Sequence, residues 1–275
     1  MSPDFLTEIV QHKGREISQA RKIISEGRLA ELARQRSTGR PFVESLAQPF
    51  DGGVNIIAEI KRASPSKGDI CPDLDAAHAA GQYQLGGAAA VSVLTDSRYF
   101  KGHLDDLKAA RAACDLPVLR KEFIISRYQV YESAVAGADA VLLIARILPT
   151  EKLRQLTTLC RDLGLDVLVE IHTPDEAQTV ADVGARLVGI NNRNLSSFET
   201  DTRVARDVVA CLAADQIPVA ASGIGRVDDI RSNLAAGIFN FLIGESIVRS
   251  DDPAGFIRRL KQAGADAQSS AVAVQ

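Results

Sequence analysis

The sequence is short of the residues that mark secreted, membrane and metal-binding proteins. Its 275 residues include four cysteines, one methionine and no tryptophan. The cysteines (Cys71, Cys114, Cys160 and Cys211) are widely spaced and form no C-x-x-C pair, which predicts reduced thiols rather than a disulfide or zinc framework. No apolar run approaches the roughly 20 residues of a membrane span, and the N-terminus lacks the basic and apolar segments of a signal peptide. We therefore expect a soluble, cytoplasmic protein.

The charge and the motif content exclude further classes. A formal net charge of −3 gives no basic excess of the kind that nucleic acids or anionic membranes attract. His12, His78, His103 and His172 are scattered, so we expect surface or structural histidines rather than metal ligands or a Ser-His-Asp triad. No G-x-G-x-x-G follows the first strand. The expected partner is a small molecule, and neither a metal nor another cofactor is predicted.

A repeated strand pattern organises the chain. Four segments each begin with a helix-ending glycine and continue as a nearly unbroken apolar run, namely 87–95, 137–145, 184–192 and 237–245. Four further apolar strands are predicted at 55–61, 116–122, 165–171 and 217–221. Helical stretches separate these strands. Eight βα units at a regular spacing predict an α/β protein, a closed (β/α)8 TIM barrel, over an open doubly wound sheet.

The two ends of the chain lie outside this repeat. Residues 5–36 have apolar residues at helical spacing among charged ones, which predicts an amphipathic helical segment packed on the domain. The last residues are mostly small and polar, which predicts a disordered tail. We expect one domain over 1–275, with an N-terminal helical extension at 5–53, the barrel at 54–263 and the tail at 264–275.

Charged residues stand at the C-terminal ends of the predicted strands, where barrels of this kind carry their active sites. Glu59 and Lys61 share one face of the first strand, a pair that in isolation is typical of a structural salt bridge. Lys121 ends the third strand and Glu170 the fifth. Crowded lysines are expected to have lowered pKa values and to donate protons, while a shielded carboxylate can act as a base.

Small residues follow the last two strands. The loops at 222–225 and 244–246 bring backbone N–H groups together near a helix N-terminus, which predicts a phosphate site. Two ordinary glycine turns are the alternative, but both loops fall after the strands where phosphate sites occur. The residues alone thus predict acid–base chemistry on a phosphorylated small molecule, without a metal.

These strand ends resemble the indole-3-glycerol phosphate synthase family. The motifs that carry the resemblance are AEIKRASPSKG at 58–68, LRKEFII at 119–125, DAVLLI at 139–144, LVE at 168–170, GINNRNL at 189–195, SGI at 222–224 and LIGES at 242–246. The match runs from the N-terminal helix to about residue 262. It implies a carboxy-lyase of tryptophan biosynthesis that converts 1-(2-carboxyphenylamino)-1-deoxyribulose 5-phosphate to indole-3-glycerol phosphate, carbon dioxide and water without a cofactor.

The resemblance also implies a role for each matching residue. Lys121 would be the general acid that protonates the substrate ketone, and Glu170 would transfer a proton in the later dehydration. Lys61, paired with Glu59, would hold the substrate carboxylate or donate a proton. The implied substrate-binding residues are Ser64, Phe123, Leu142, Asn191, Arg193, Leu195, Ser222 and Leu242. Among these, the apolar slot for the aromatic ring would consist of Phe123, Leu142, Leu195 and Leu242.

The phosphate would bind to the small loops and the first loop of the barrel. Its implied ligands are Gly223, Gly244, Glu245 and Ser246, with Lys67 beside them. The N-terminal helix would lie over the substrate entrance. We expect a monomer, with association with other tryptophan-pathway enzymes as an open possibility.

Two positions depart from the family pattern. Glu122 stands where the family usually has Asp, a mild change because this side chain is expected to face outward. Ala221 stands where the family commonly has Glu, directly before Ser222, so one carboxylate is missing from the predicted site. A non-catalytic phosphate-ligand binding protein therefore stays open. A phosphoribosylanthranilate isomerase-like barrel is disfavoured by the long N-terminal helix and the E-x-K…S-P-S element.

Overall fold

The chain forms a closed barrel of eight parallel strands. The computed structural model describes residues 5–37, 39–49 and 53–272, without the side chains of 266–272. The barrel strands are β1 (Asn55–Ile60), β2 (Ala90–Leu94), β3 (Val118–Lys121), β4 (Ala140–Ile144), β5 (Asp166–Ile171), β6 (Leu187–Asn191), β7 (Ile217–Ala221) and β8 (Asn240–Ile243). Each pairs in parallel with its neighbours, and β8 pairs with β1. The predicted TIM barrel is confirmed.

The N-terminal segment forms two helices rather than the single helical stretch expected at 5–36. They are α1 (Phe5–Ile23) and α2 (Glu26–Arg34). Ser25 separates them because its hydroxyl oxygen accepts a hydrogen bond of 3.2 Å from the backbone N–H of Arg28 and so caps α2. A short 3₁₀ turn at Glu44–Leu46 follows before the barrel begins.

The remaining helices pack around the barrel. They are α3 (Ala76–Leu85), α4 (Ser97–Phe100), α5 (Leu104–Ala113), α6 (Arg127–Ala136), α7 (Thr150–Asp162), α8 (Glu176–Asp182), α9 (Val204–Val209), α10 (Val227–Leu234), α11 (Glu245–Val248) and α12 (Pro253–Val272). The prediction of a disordered tail from residue 264 is wrong over 264–272, which continue α12 because they are rich in alanine, a strong helix former. Residues 273–275 lie outside the described part. Within that part, no helix is long and apolar enough to cross a membrane.

Side-chain alternation along the strands divides the core into two clusters. Ile57 of β1 belongs to the cluster inside the barrel, whereas Ile56 and Ala58 belong to the cluster between the sheet and the helices. Because the side-chain period of a strand is two, Glu59 points into the barrel with Ile57. At the opposite end, the connector after α2 closes the barrel, with the backbone N–H groups of Phe42 and Val43 donating to the Asp166 carboxylate.

A small antiparallel hairpin follows β1 and was missed in the sequence. Ala63–Ser64 pairs with Gly68–Asp69 across the Ser-Pro-Ser-Lys-Gly turn. Gly68 adopts a φ of +65°, which a residue without a Cβ tolerates. The hairpin lies over the C-terminal ends of the strands, since Arg193 from the loop after β6 donates a hydrogen bond of 2.6 Å from Nη1 to the hydroxyl of Ser66.

Candidate active site

A buried carboxylate holds two lysines at the C-terminal ends of β1 and β3. Glu59 Oε1 lies 2.6 Å from Lys61 Nζ, and Glu59 Oε2 lies 3.1 Å from Lys121 Nζ. Burial by itself would raise the pKa of Glu59, but the charges and hydrogen bonds of Lys121 and Lys61 outweigh it and lower the pKa to about 2. Glu59 is therefore ionised, and its pair with Lys61 is one half of a three-residue group rather than an isolated salt bridge.

Lys121 is protonated at neutral pH, contrary to the expectation of a lowered pKa. Burial alone would lower the pKa of this ammonium group. The negative charges of Glu59 and Glu170, with the hydrogen bond to Glu59, outweigh that effect and raise the pKa above its usual value. The nearby carboxylates therefore affect the pKa of Lys121 more strongly than crowding by other cations does. The group holds a proton ready for donation.

Glu170 at the end of β5 is oriented by its neighbours. Its Oε1 accepts a hydrogen bond of 3.1 Å from Asn191 Nδ2, while Asn191 Oδ1 accepts one of 3.0 Å from the backbone N–H of Arg193. Both side chains are buried. The amide of Asn191 is therefore fixed at both ends, and it holds the Glu170 carboxylate against the same inner space that Lys121 borders.

The turns after β7 and β8 enclose the largest part of the site, a cavity of about 410 Å³. All four residues implied as phosphate ligands line it, and so do Lys67 and both lysines held by Glu59. Ser222 (φ +67°) and Gly223 (φ +74°) are consecutive left-handed residues that turn the chain back sharply after β7. A Cβ at Gly225 would overlap Ser246 Oγ. The backbone of the turn after β7 therefore lies directly against the side chain of Ser246, which follows β8. Thr200 and Arg226 also line this cavity and were missed in the sequence.

The apolar side of the site consists of two smaller hollows of about 70 and about 50 Å³. Phe123 and Leu195 line both, and Leu142 lines the smaller one. Phe100, from α4, was missed in the sequence, although its ring centroid lies 6.1 Å from that of Phe123. The first turns of α1 contribute Phe5, Leu6 and Ile9 to the larger hollow. The helix thus covers the apolar part of the entrance, as the resemblance implied.

Leu242 belongs to the same buried apolar cluster as Phe123 and Leu142, against which Leu195 packs, but it lines neither hollow. It lies on β8, between β7 and β1, and lines the 410 Å³ cavity on the side of the small turns. Ser64, Asn191, Arg193 and Ser222 border the larger hollow.

Glu122 faces away from the barrel interior, as predicted, but it is buried. Its Oε1 lies 3.0 Å from Lys13 Nζ of α1, and that same ammonium lies 2.7 Å from Asp96 Oδ2 and 2.7 Å from Glu16 Oε2. The Thr95 hydroxyl donates to Glu122 Oε2 at 2.9 Å. Position 122 is thus part of a buried ionic cluster that fixes α1 to the rim of the barrel.

Fold and site together define a (β/α)8-barrel protein with an acid–base centre at the C-terminal ends of its strands. The family model for indole-3-glycerol phosphate synthase matches residues 6–260, and the chain belongs to that family.

Known relatives support the same assignment over nearly the full length. The chain is 58% identical over 258 residues to the indole-3-glycerol phosphate synthase of Desulfosudis oleivorans, covering 94% of this chain and 98% of that one. It is 49% identical over 257 residues to the one from Syntrophobacter fumaroxidans, with 94% and 97% covered. It is 42% identical over 258 residues to the one from Bordetella pertussis, with 94% and 98% covered.

The fold alone extends to a more distant solved structure. Thiamine phosphate pyrophosphorylase from Pyrococcus furiosus superposes with a TM-score of 0.59 at 15% sequence identity, covering 79% of this chain and 98% of that one.

Proposed function

We propose that the cavity at the C-terminal ends of the strands converts 1-(2-carboxyphenylamino)-1-deoxyribulose 5-phosphate to indole-3-glycerol phosphate, the reaction of the family to which the chain belongs. One observation carries the proposal. The ammonium of Lys121, held by Glu59, borders the cavity beside the two small turns and also both apolar hollows. A substrate with a phosphate at one end and an aromatic ring at the other would thus have its ketone at this lysine.

The two ends of the substrate match the two sides of the site. The phosphate would bind to backbone N–H groups at Gly223, Gly244, Glu245 and Ser246, with Lys67 adding charge. The aromatic ring would lie against Phe123, Leu142 and Leu195. Ser64, Asn191, Arg193 and Ser222 would position the chain between them, with Leu242 under its phosphate end. Lys61 would bind the substrate carboxylate, since Glu59 leaves part of its ammonium free to donate.

The chemistry needs proton transfers at two places. As the ring carbon that bears the carboxylate attacks the ketone carbon, Lys121 would give its proton to the ketone oxygen. The carboxylate then leaves as carbon dioxide, and its bonding electrons return to the ring. In the dehydration, Lys61, free once the carboxylate has left, would give a proton to the hydroxyl group, which leaves as water, and Glu170 would accept a proton from the neighbouring CH₂ group. Two protons are given and one is removed, so each turnover takes up one proton from solvent.

The supporting experiment follows indole fluorescence after the protein is mixed with the deoxyribulose phosphate. Formation of indole-3-glycerol phosphate supports the proposal. Binding of the substrate without any product, even at high enzyme concentration, would overturn it in favour of a phosphate-ligand binding protein. Turnover of phosphoribosylanthranilate instead would favour the isomerase alternative. We also propose that the protein is a cytoplasmic monomer. Size-exclusion chromatography with light scattering measures its oligomeric state.

A further inference from the structure

His172 is a buried imidazole between two carboxylates. Its side chain is 4% exposed, Nε2 lies 3.6 Å from Glu170 Oε1, and Nδ1 lies 4.0 Å from Glu176 Oε2. Neither ring nitrogen has a hydrogen-bond partner within the described part of the chain. Buried polar groups are nearly always satisfied, so an imidazole left without partners at this position requires an explanation.

The ring stands between two separate spaces. Glu170 lines the smaller apolar hollow together with Lys121, on the side where the aromatic ring would bind. His172 lines a second cavity of about 760 Å³, which Arg146, Thr173 and Arg203 also border and which Lys121 does not. Asn191 lines both spaces. The imidazole therefore connects a carboxylate inside the site with an open space outside it.

The protonation state of His172 suits the receipt of a proton. Burial lowers its pKa, and the positive charges of Arg146 and Lys121 act in the same direction. The charges of Glu170 and Glu176 oppose this shift without reversing it. The ring is therefore neutral at neutral pH and has one nitrogen free to accept.

We propose that His172 carries protons from Glu170 to Glu176 and the water of the second cavity. The proposal rests on the proposed function, in which Glu170 accepts a proton during the dehydration while substrate or product fills the inner hollow. Glu170 must lose that proton before the next turnover, and the bound ligand separates it from solvent on that side. The route through His172 stays open with the ligand in place.

The transfer balances at each atom. The protonated Glu170 carboxyl gives its proton to Nε2, and Nδ1–H gives a proton to the Glu176 carboxylate or to water, so Glu170 returns to its charged form. The ring then exchanges protons with the water of the second cavity, Nε2 losing one and Nδ1 gaining one, which restores the starting tautomer. Closing each N···O gap by about 1 Å gives the length of a charge-assisted hydrogen bond. The Glu176 carboxylate is held at both oxygens: Oε2, which faces Nδ1, accepts from the backbone N–H groups of His172 at 2.6 Å and Thr173 at 3.2 Å, and Oε1 accepts from Arg146 Nε at 3.4 Å.

His172→Gln and His172→Ala test the relay by steady-state kinetics. Glutamine is similar in size and can keep a polar contact to Glu170, but it cannot pass a proton on. If His172 has a purely structural role, the His172→Gln variant should keep nearly full activity. If the relay operates, kcat should fall about ten- to hundredfold in both variants, while KM changes less than about threefold. This loss is at or below the smallest rate factor that a directly acting acid–base group contributes. Added imidazole should restore part of kcat in His172→Ala, with saturation, and should leave wild type unaffected.

Three further proteins make the outcome unambiguous. Arg203→Ala should have the kcat of wild type. Arg203 borders the same second cavity, but among the contacts described for its side chain it pairs only with Asp201. Glu176→Gln should lower kcat less than the His172 variants, because water can replace it. Wild-type kcat in His172→Gln, or an absence of imidazole rescue in folded His172→Ala, overturns the relay and leaves the proposed function standing. A wild-type protein that forms no indole overturns both.

Discussion

Glu59 Oε2 lies 3.1 Å from Lys121 Nζ, and its other oxygen lies 2.6 Å from Lys61 Nζ. One carboxylate, itself almost fully buried, thus fixes the ammonium groups of Lys61 and Lys121. The chain carries Ala221 at the end of β7, so no second carboxylate reaches these lysines from that strand. The positions of these two lysines therefore depend on Glu59.

Replacing Lys121 by Met should lower kcat by about two to four decades, the usual share of one acid–base group, or about 3–5 kcal/mol of barrier. The side chain keeps its volume but loses its proton and its charge. Lys108→Met, on the exposed face of α5, is the matched control and should match wild type. A loss of about tenfold or less in Lys121→Met would mean that the general acid lies elsewhere.

The lowered pKa of Glu59 makes a definite prediction for stability against pH. The group has a pKa of about 2 in the folded protein against a reference value of 4.5, so it stabilises the fold above pH 4.5 and loses that contribution as pH falls towards 2. The difference in free energy of unfolding between wild type and Glu59→Gln should therefore be constant near neutral pH and shrink below pH 4.5. Urea denaturation at a series of pH values measures it. A difference that does not change over this window would contradict the assignment.

Ala221→Glu should lower KM for the deoxyribulose phosphate. The new carboxylate would enter the cavity that Lys61 and Lys121 line, where it can accept from a lysine or from a substrate hydroxyl. Ala221→Gln has the same size without the charge and serves as control. If the two variants have equal KM values, any decrease in KM relative to wild type results from packing rather than from the new charge. A raised KM in Ala221→Glu would mean that repulsion from Glu59 dominates.

Gly244→Ala should reduce activity by displacing Glu59. A Cβ at this position would overlap Glu59 Oε1 and lie 3.1 Å from the Glu59 Cβ. The carboxylate must then shift and loosen its hold on both lysines. Gly27→Ala, on helix α2 with no atom near its added Cβ, is the control, and it should keep activity and gain slightly in melting temperature. Unchanged kcat/KM in Gly244→Ala would show that the backbone yields there.

Lys13→Met should destabilise the protein by about 3–5 kcal/mol, because it leaves the buried Asp96 without its cation and leaves Glu122 with only the more distant Arg120, at 3.8 Å. Lys22→Met tests the specificity of this effect, since Lys22 is on the same helix but exposed. Urea denaturation should separate the two clearly. Similar midpoints for both variants would mean that the cluster is solvated rather than buried.

The placement of charged side chains at the rim of the barrel was predictable, because periodicity and the barrel rule both act along short stretches of chain. Glu59, Lys61, Lys121 and Glu170 follow apolar runs that end at one face of any such barrel. The order of the strands in the barrel is enough to predict that these side chains converge. The parity of β1 also predicted that Glu59 and Lys61 lie on one face of the strand, and the structure shows that this face points into the barrel with Ile57.

Contacts between distant segments were not predictable from the same rules. Nothing in the local pattern of α1 indicates that Lys13 reaches Glu122, since the rule for strand ends does not locate an added helix. The raised pKa of Lys121 depends on two carboxylates from other strands, and sequence indicated only the crowding. Phe100 was missed because it follows β2 on a short helix rather than a strand end.

The position of Lys121 between three spaces has a consequence for inhibitors. Inorganic phosphate and a small aromatic acid would occupy different spaces, yet each would border the same ammonium group. Two anions at one lysine repel each other, so each fragment should weaken the binding of the other. A single molecule could join a phosphate to an uncharged aromatic ring and present an uncharged oxygen at the lysine. It would avoid that repulsion, and its association constant should exceed the product of the association constants of the two separate fragments.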